Sequence, residues 1–353
     1  MNASIRELQS GPEATGRRYR QELADLNVSP LWDVMKGMVP AEPQPMARPH
    51  AWRWESMRPR LLEAGQLISA EEAERRVLML KNPGLGGQPA ITDTLYAGLQ
   101  LILPGELAPA HRHSQAALRL VLEGEGGYTS VDGYRTAMHR GDFILTPPWV
   151  WHDHGNDGNG PVIWLDGLDV PLVTFLRAGF REEFEAAQFP MQGISEAIDD
   201  LYGNSLLPIE VRHKGASSPI FNYPYERTRE TLAKLKGHGR WDAQHGVALR
   251  YANPLTGGSP MPTIGASMRL LPAGRGTEWF RSVEGVALVG MEGTTTVEIE
   301  GSGAMSMGPN DVLAVPGWTR WKTHAAAGED SVLFAFSDRP VYEKLGLYRE
   351  QRG

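Results

Sequence analysis

The chain has no cysteine among its 353 residues. Disulfide bonds, thiolate metal sites and cysteine nucleophiles are therefore excluded. It also lacks a long basic stretch and carries a formal net charge of −7, so we do not expect nucleic acid as a partner. No apolar run approaches the length of a membrane span, and the first residues lack the apolar core of a secretory signal. These absences favour a soluble, cytoplasmic protein with no membrane partner.

What the chain does contain favours a β-rich fold with more than one domain. Its length exceeds that of a typical single domain, and its hydrophobic fraction of 41% is enough for sizeable cores. The 40 glycines and 26 prolines favour many short strands joined by turns. We therefore predict a closed or double-sheet β architecture. Helices are expected at residues 56–64, 181–187 and 227–235.

Five of the ten histidines lie in one stretch, residues 105–156. His111 and His113 are two residues apart, so both imidazoles leave the same face of an extended strand. His152 follows a turn marked by two consecutive prolines and can return on a neighbouring strand. Three neutral imidazoles that converge from a rigid sheet form a metal site with open coordination positions. A lone histidine pair is also common on strand surfaces, but the clustering and the turn residues favour the metal site.

The spacing in this stretch resembles the two motifs of the cupin family. Gly105 and Gly141 open the two motifs, and Asn156 follows four residues after the last histidine of the set. The family pattern usually supplies a glutamate ligand four or five residues after the second histidine, where this chain has Ala117 and Leu118. The resemblance therefore implies a jelly-roll barrel in which three histidines alone hold the metal.

The second half of the chain repeats the first. At a shift of 169 residues, Gly105 aligns with Gly274 and Trp149 with Trp318, so turn and packing residues are retained. The chemical residues are not retained: His111, His113, His152 and Arg119 align with Phe280, Ser282, Trp321 and Leu288. We predict a bicupin with one metal-binding and one structural barrel. The expected divisions are an N-terminal segment (1–76), a metal-binding barrel (77–174), a connection (175–245) and a second barrel with a C-terminal helix (246–353).

Longer motifs resemble the gentisate 1,2-dioxygenase family from about residue 31 to the C-terminal helix. They are YAGLQ at 96–100, PAHRHSQAALR at 109–119, WHDHGN at 151–156, WLDGLD at 164–169 and FSDRP at 336–340. The resemblance implies one Fe(II) per chain held by His111, His113 and His152, no organic cofactor, and a homotetramer. It also implies an enzyme that adds both atoms of O2 to a small aromatic acid and opens the ring between the carboxyl- and hydroxyl-bearing carbons. With gentisate the product is maleylpyruvate.

The same resemblance suggests roles for residues around the metal. Arg119 lies on the strand after the histidine pair and is suited to a bidentate hold on the substrate carboxylate. His154, on the strand face of His152, is expected either to bind a phenolate or move a proton, because histidine titrates near neutrality, or to be structural. Asp166 is expected to accept a hydrogen bond from the second ring hydroxyl or to orient a histidine. Pocket residues implied by the resemblance are Gln100, Trp164 and Arg75.

Three alternatives remain open from the sequence. Close relatives within the family cleave salicylate or 1-hydroxy-2-naphthoate with much the same residues. Three-histidine sites also accept other divalent metals, so a metal-dependent isomerase or hydrolase is a second alternative. A storage or ligand-binding bicupin is the third, although such a protein does not need three histidines and a matching arginine in one half.

Overall fold

The computed structural model describes residues 12–203, 207, 209–210 and 215–353. The chain forms two compact units, Met1–Gln44 and Pro45–Gly353. The described part of the first unit contains helices α1 (Pro12–Asp25) and α2 (Leu31–Met38). Arg20 of α1 donates from Nη2 to Asp33 Oδ1 of α2 at 2.9 Å. None of the described helices combines the length and the apolar character needed to cross a membrane.

The second unit contains all the described strands. Its first half comprises β1 (His50–Trp52), α3 (Trp54–Leu67), α4 (Ala70–Ala73), β2 (Arg76–Met79), a 3-10 turn (Pro83–Leu85), β3 (Tyr96–Ile102), β4 (Leu107–His113), β5 (Ala117–Glu123), β6 (Gly127–Val131), β7 (Tyr134–Ala137), β8 (Phe143–Thr146), β9 (His152–Asn156), β10 (Val162–Leu168), α5 (Val170–Phe175) and β11 (Arg181–Glu183). Its second half comprises β12 (Gly193–Ile194), α6 (Ser195–Tyr202), β13 (Asn222–Tyr223), α7 (Tyr225–Gly237), β14 (Val247–Arg250), β15 (Gly265–Leu271), β16 (Phe280–Ser282), β17 (Val286–Glu292), β18 (Thr295–Ile299), β19 (Gly303–Met307), β20 (Val312–Val315), β21 (Trp321–Ala325), β22 (Ser331–Ser337), α8 (Arg339–Lys344) and β23 (Glu350–Arg352).

The two halves form two barrels whose strands follow a corresponding order, except that β12 has no counterpart among the described strands of the second barrel. In the first barrel the sheet β13-β8-β5-β10-β3-β2 faces the sheet β11-β4-β9-β6-β7-β12. In the second, β1-β20-β17-β22-β15-β14 faces β19-β18-β21-β16-β23. Strands such as β8 and β22 are buried along their whole length, which explains why their central residues are all apolar. The predicted bicupin and its internal repeat are confirmed.

Each barrel receives an edge strand from the other half of the chain. β1, from the first half, pairs with β20 of the second barrel, and β13, from the second half, pairs with β8 of the first. Each exchanged strand leads into a helix whose first N–H group is bound by a carboxylate of the other half. Asp311 accepts from Trp54 N at 2.8 Å, and Asp142 accepts from Tyr225 N at 2.9 Å. The exchange covers one sheet edge in each barrel and links the barrels into one unit.

The helix predicted at residues 181–187 is wrong. Arg181–Glu183 form β11, which pairs with the histidine strand β4 and places Arg181 opposite His113. Pairing with the edge of β4 outweighs the local helix preference of this glutamate- and alanine-rich sequence. The helices predicted at 56–64 and 227–235 are confirmed within α3 and α7. The four-part division of the chain stays a prediction.

Candidate active site

Three histidines meet inside the first barrel. His111 and His113 lie on β4, and His152 lies on the neighbouring strand β9, directly opposite His111. One ligand nitrogen from each histidine lies within 4.8 Å of the other two. The period-two spacing and the return strand expected from the sequence are both present, so these side chains can hold a metal ion.

Backbone carbonyls orient the three imidazoles. Each Nδ1 atom lies near the carbonyl oxygen of a residue two positions away: Pro109 for His111 (3.2 Å), Gln115 for His113 (3.0 Å) and Val150 for His152 (2.9 Å). A carbonyl only accepts, so Nδ1 carries the hydrogen and Nε2 keeps its lone pair. His152 Nε2 is buried and has no hydrogen-bond partner in the described part of the chain. A divalent metal would satisfy that atom, so the residues fit the ion.

Burial keeps the three imidazoles neutral. It lowers the pKa of His111 to about 2, with a further contribution from the Arg75 guanidinium, and the pKa of His113 to about 4, helped by Arg119. Burial also holds the pKa of His152 well below its ordinary value. Because a metal binds the neutral imidazole, no proton has to be removed from the site at neutral pH.

A cavity of about 550 Å³ opens in front of the histidines. Both sheets of the barrel contribute to its wall, since β4 and β9 supply the histidines while β3, β5 and β10 supply the polar residues opposite. The predicted residues that line it are Arg75, Gln100, His111, His113, Arg119, His152 and Asp166. The cavity is large enough for a substituted benzoate.

Arg119 is a buried cation with an unused donor. Its Nη1 donates to Thr146 Oγ1 at 2.6 Å, and its Nε lies 3.5 Å from Asp166 Oδ1. The Nε hydrogen makes no hydrogen bond to any described residue. Burial lowers the pKa of Arg119 to about 10, which still leaves the guanidinium charged at neutral pH. A charged donor buried in a cavity favours an anionic ligand.

Asp166 lies opposite Arg119 in the strand register. Its Oδ1 accepts a hydrogen bond from the indole Nε1 of Trp164 at 3.0 Å. Burial raises the pKa of Asp166 to about 6, although Arg119 opposes the shift, so the carboxylate is mainly ionised at neutral pH. Trp164 is fully buried and is not part of the cavity lining, so its role is to hold Asp166 in place through this hydrogen bond.

His154 is not among the residues that line the cavity. It is 1% exposed, its ring centroid lies 5.7 Å from that of His152, and its Nδ1 pairs with the Thr129 hydroxyl. Burial, followed by the charge of Arg119, holds the pKa of His154 well below 6.5. The expectation that this histidine titrates near neutrality is therefore wrong, although a neutral imidazole can still share one hydrogen bond.

Arg75 reaches His111 from the rim of the cavity. Its Nη2 donates to Pro109 O at 3.0 Å and lies 2.7 Å from His111 Nδ1. A guanidinium only donates, so this contact requires an unprotonated Nδ1, whereas the bond from His111 to Pro109 requires a protonated one. Metal binding through Nε2 needs the protonated form. With a metal held on Nε2, the Nδ1 hydrogen of His111 would point to Pro109, and the Arg75 N–H group that lies against Nδ1 would be available to a ligand in the cavity.

Three supporting residues were not predicted from the sequence. Thr129 lies opposite His154 in the register, and Thr146 lies on β8 beside the strand of Arg119. No sequence pattern distinguishes these threonines from others on strands. Tyr96 lines the cavity, and a signal for it existed, because its position on β3 alternates in phase with Gln100.

The chain is similar to several known proteins. Residues 98–169 match the family described as "Cupin domain". The chain is 46% identical to gentisate 1,2 dioxygenase 1 from Aquipseudomonas alcaligenes, over 95% of this chain and 96% of that protein. It is 39% identical to a gentisate 1,2-dioxygenase from Streptomyces sp, over 97% and 98% of the two chains. The crystal structure of the salicylate 1,2-dioxygenase from Pseudoaminobacter salicylatoxidans with gentisate superposes with a TM-score of 0.89 and 34% identity, covering 98% of this chain and 95% of that one.

Proposed function

Because this chain belongs to the gentisate 1,2-dioxygenase family of ring-cleaving enzymes, we propose that its own substrate is gentisate (2,5-dihydroxybenzoate). The reaction adds both atoms of O2 and opens the ring between C1 and C2 to give maleylpyruvate, in the catabolism of aromatic compounds. The observation that carries the proposal is that three histidine ligands, the buried cation Arg119 and the carboxylate of Asp166 line one cavity.

The metal in this proposal is Fe(II), one per chain, held by His111, His113 and His152. When bound, iron supplies the centre at which the carboxylate and the neighbouring hydroxyl of the substrate chelate and at which O2 reacts. Three neutral imidazoles leave the charge of the ion uncompensated by protein. An anionic chelating substrate is therefore favoured over a neutral phenol.

The residues around the metal bind and orient the aromatic acid. Arg119 offers its unused Nε hydrogen to the substrate carboxylate, and Arg75, once released from His111, offers a second guanidinium. Asp166 is placed to accept a hydrogen bond from the second ring hydroxyl, while Trp164 fixes its rotamer. Gln100 contributes a neutral polar group to the same wall. The assignments of Arg119, Arg75, Asp166 and Gln100 follow from the charge or polarity of each side chain and its position on the cavity wall, and that of Trp164 follows from its hydrogen bond to Asp166.

We assign His154 the role of a neutral hydrogen-bonding partner. It does not act as an acid–base catalyst that becomes an imidazolium. Its pKa is far below neutrality, so the ring stays neutral throughout. With one ring nitrogen engaged by Thr129, the other remains for a single hydrogen bond to substrate or oxygen. Replacement of His154 by asparagine, which keeps a polar group there, should retain more activity than replacement by leucine.

From the family resemblance we propose that the protein is a homotetramer. We also propose that it is located in the cytoplasm. Light scattering coupled to size-exclusion chromatography tests the tetramer directly, because one chain has a mass of 38.9 kDa. A particle of about four times that mass supports the proposal, and a monomeric particle contradicts it.

The proposed function is tested by oxygen consumption. Protein loaded anaerobically with Fe(II) is mixed with gentisate, air is admitted, and oxygen uptake is recorded together with near-ultraviolet absorbance of the ring-opened enol-keto product. We expect one O2 consumed per gentisate and a new absorbance band. The His111→Ala variant, loaded in the same way, serves as the metal-free control. No oxygen uptake by iron-containing protein would contradict the proposal.

Salicylate is a second candidate substrate, favoured by the likeness to a salicylate 1,2-dioxygenase structure. Salicylate lacks the hydroxyl that Asp166 would bind. If Asp166 recognises that hydroxyl, Asp166→Asn should lower kcat/KM for gentisate more than for salicylate, because a site built around a substrate hydroxyl discriminates against its absence. Uptake with salicylate but not with gentisate would keep the chemistry and change the substrate.

A further inference from the structure

Two chain segments form one side of the cavity mouth and are joined by an ion pair. Residues 73–75, which run from the last residue of α4 to the residue before β2, and residues 179–181, which run into the first residue of β11, all line the cavity. Arg181 Nη2 donates to Glu74 Oε2 at 3.1 Å. Arg181 is held on the barrel by the pairing of β11 with β4. The ion pair therefore links residues 73–75 to β11, the strand that pairs with the histidine strand β4.

Glu74 has a backbone conformation that non-glycine residues rarely adopt. Its φ is 50° and its ψ is −46°, and the N–H of Arg75 donates to the carbonyl of Ala73 across it. This is a three-residue γ-turn with positive φ, which is strained and persists only where the surroundings hold it. The next residue is Arg75, whose guanidinium lies beside His111. The geometry of the turn therefore sets the direction in which Arg75 leaves the backbone.

The second barrel lacks this arrangement. At a shift of 171 residues Arg75 corresponds to Gly246, which directly precedes β14 as Arg75 precedes β2. Gly246 has a φ of 74°, a conformation that glycine adopts without strain. At the shift of 169, Arg181 corresponds to Glu350. The strained turn, the rim cation and the ion pair are thus found together in the barrel that has the histidines.

We propose that the Glu74–Arg181 ion pair positions Arg75 over the metal site, so that its guanidinium binds the carboxylate of the aromatic acid. The inference rests on the proposed function. Glu74 and Arg181 are positioning residues that act through Arg75. Both side chains are largely exposed, at 62% and 49%, and exposed ion pairs contribute modestly. The pair therefore tunes substrate affinity and leaves metal binding and overall stability unaffected.

A simple charge effect at the cavity mouth makes a different prediction. If Glu74 and Arg181 acted only through long-range charge, removing the glutamate would attract an anionic substrate and lower KM, while removing the arginine would raise it. Positioning through one ion pair requires both single changes to raise KM. The direction of the two shifts therefore separates the two explanations.

The experiment measures KM and kcat for gentisate with iron-loaded protein carrying Glu74→Gln, Arg181→Gln or both. We expect each single change to raise KM about two- to fivefold with little change in kcat, and the double change to do no more than the larger single one. In an Arg75→Gln background the same changes should have no further effect. Glu182→Gln is the matched control, since Glu182 lies on the same strand and pairs instead with Arg112 at 2.8 Å.

Several outcomes would overturn the inference. They are an unchanged KM in both single variants, opposite shifts of KM, or shifts that persist without Arg75. Iron content and melting temperature of each variant establish that the metal site and the fold are intact. If unmodified, iron-loaded protein consumed no oxygen with gentisate, the proposed function would fail and this inference with it. Normal turnover by the unmodified protein with opposite KM shifts would overturn the inference alone.

Discussion

The two barrels have the same scaffold and different interiors. Strands β5, β8, β9 and β10 correspond to β17, β20, β21 and β22 at one constant shift. Inside the second barrel, Phe280 and Trp321 stand where His111 and His152 stand in the first, and both belong to an apolar cluster with Leu288. Turn and packing residues are thus sufficient to maintain the barrel. A few inward-facing residues determine whether it contains a candidate metal site.

The difference has an energetic consequence. The first barrel buries Arg119, Asp166 and His154, with exposures of 4%, 6% and 1%. Buried charged and polar groups cost free energy unless hydrogen bonds compensate them. The second barrel fills the matching positions with Leu288, Ala335 and Thr323. We therefore expect substitutions at matched positions to reduce activity in the first barrel and stability in the second.

The largest expected effect is that of His111→Ala. The variant should lose iron and fall to background oxygen uptake, because two imidazoles remain of three ligands. Its fold should remain intact, since the side chain removed is polar and lies at the cavity. Metal analysis and circular dichroism check the two parts. The matched variant Phe280→Ala should instead destabilise the protein by about 3–5 kcal/mol and keep its iron. Normal iron content in folded His111→Ala protein would remove this histidine from the ligand set.

Trp321→Ala tests the structural role of the second barrel. Trp321 is 4% exposed and occupies the position of His152. Removing a buried aromatic ring costs about 3–5 kcal/mol, which denaturant unfolding measures. Under native conditions the folded variant should bind iron and turn over substrate normally. Specific loss of iron from folded protein would connect the second barrel to the metal site and contradict the division of roles.

Arg119→Leu gives the first barrel the residue found in the second. Loss of a buried charge-assisted contact should raise KM for the aromatic acid by about 100-fold. Iron content should not change, because Arg119 is not among the three histidine ligands. Steady-state kinetics with gentisate check the shift, and Leu288→Ala is the matched control, expected to lower stability and leave KM unaltered. An unchanged KM in Arg119→Leu would remove this arginine from the carboxylate site.

The metal-site histidines could be predicted because local geometry determines them. A spacing of two fixes the faces of His111 and His113, and the proline turn brings His152 back on the adjacent strand. The repeat could be predicted because turn glycines and tryptophans keep a constant shift. Arg119 follows from strand alternation after the histidine pair. In each case the information lies within a few residues of sequence or in an internal comparison.

Other features depend on pairing between distant segments. The exchange of β1 and β13 between barrels, the contacts from Thr129 and Thr146, and the strand at 181–183 all require the cross-strand register, which one sequence does not contain. The pKa of His154 likewise depends on burial, which the three-dimensional packing determines. The helix predicted at 181–187 failed for the same reason, since a neighbouring strand edge decided its conformation.

Two buried aspartates at corresponding positions each accept a hydrogen bond from a threonine in the other half of the chain. Asp169 accepts from Ala116 N at 3.0 Å and from Thr263 Oγ1, of the second half, at 2.5 Å. Asp338 accepts from Gly285 N at 2.9 Å and from the hydroxyl of Thr94, of the first half. Burial raises the pKa of Asp169, and it raises the pKa of Asp338 from 3.8 to about 7. If the two barrels are equivalent scaffolds, loss of the threonine hydroxyl from either aspartate should change the free energy of unfolding in the same direction.

The smallest expected effect comes from Thr94→Val and Thr263→Val. Between pH 4 and pH 7 the unfolded chain has released the Asp338 proton while the folded chain retains it, so this group lowers stability as pH rises through that window. Thr94 donates to the ionised carboxylate. Loss of the Thr94 hydroxyl should therefore raise the pKa of Asp338 further. The free energy of unfolding should fall by about 1–2 kcal/mol above pH 7 and by less at pH 5. Urea unfolding of metal-free protein at pH 5 and pH 8 measures the difference, and Thr263→Val should change in the same direction. Equal losses at both pH values would mean that the threonines act by packing alone, and a response in only one variant would break the equivalence of the two scaffolds.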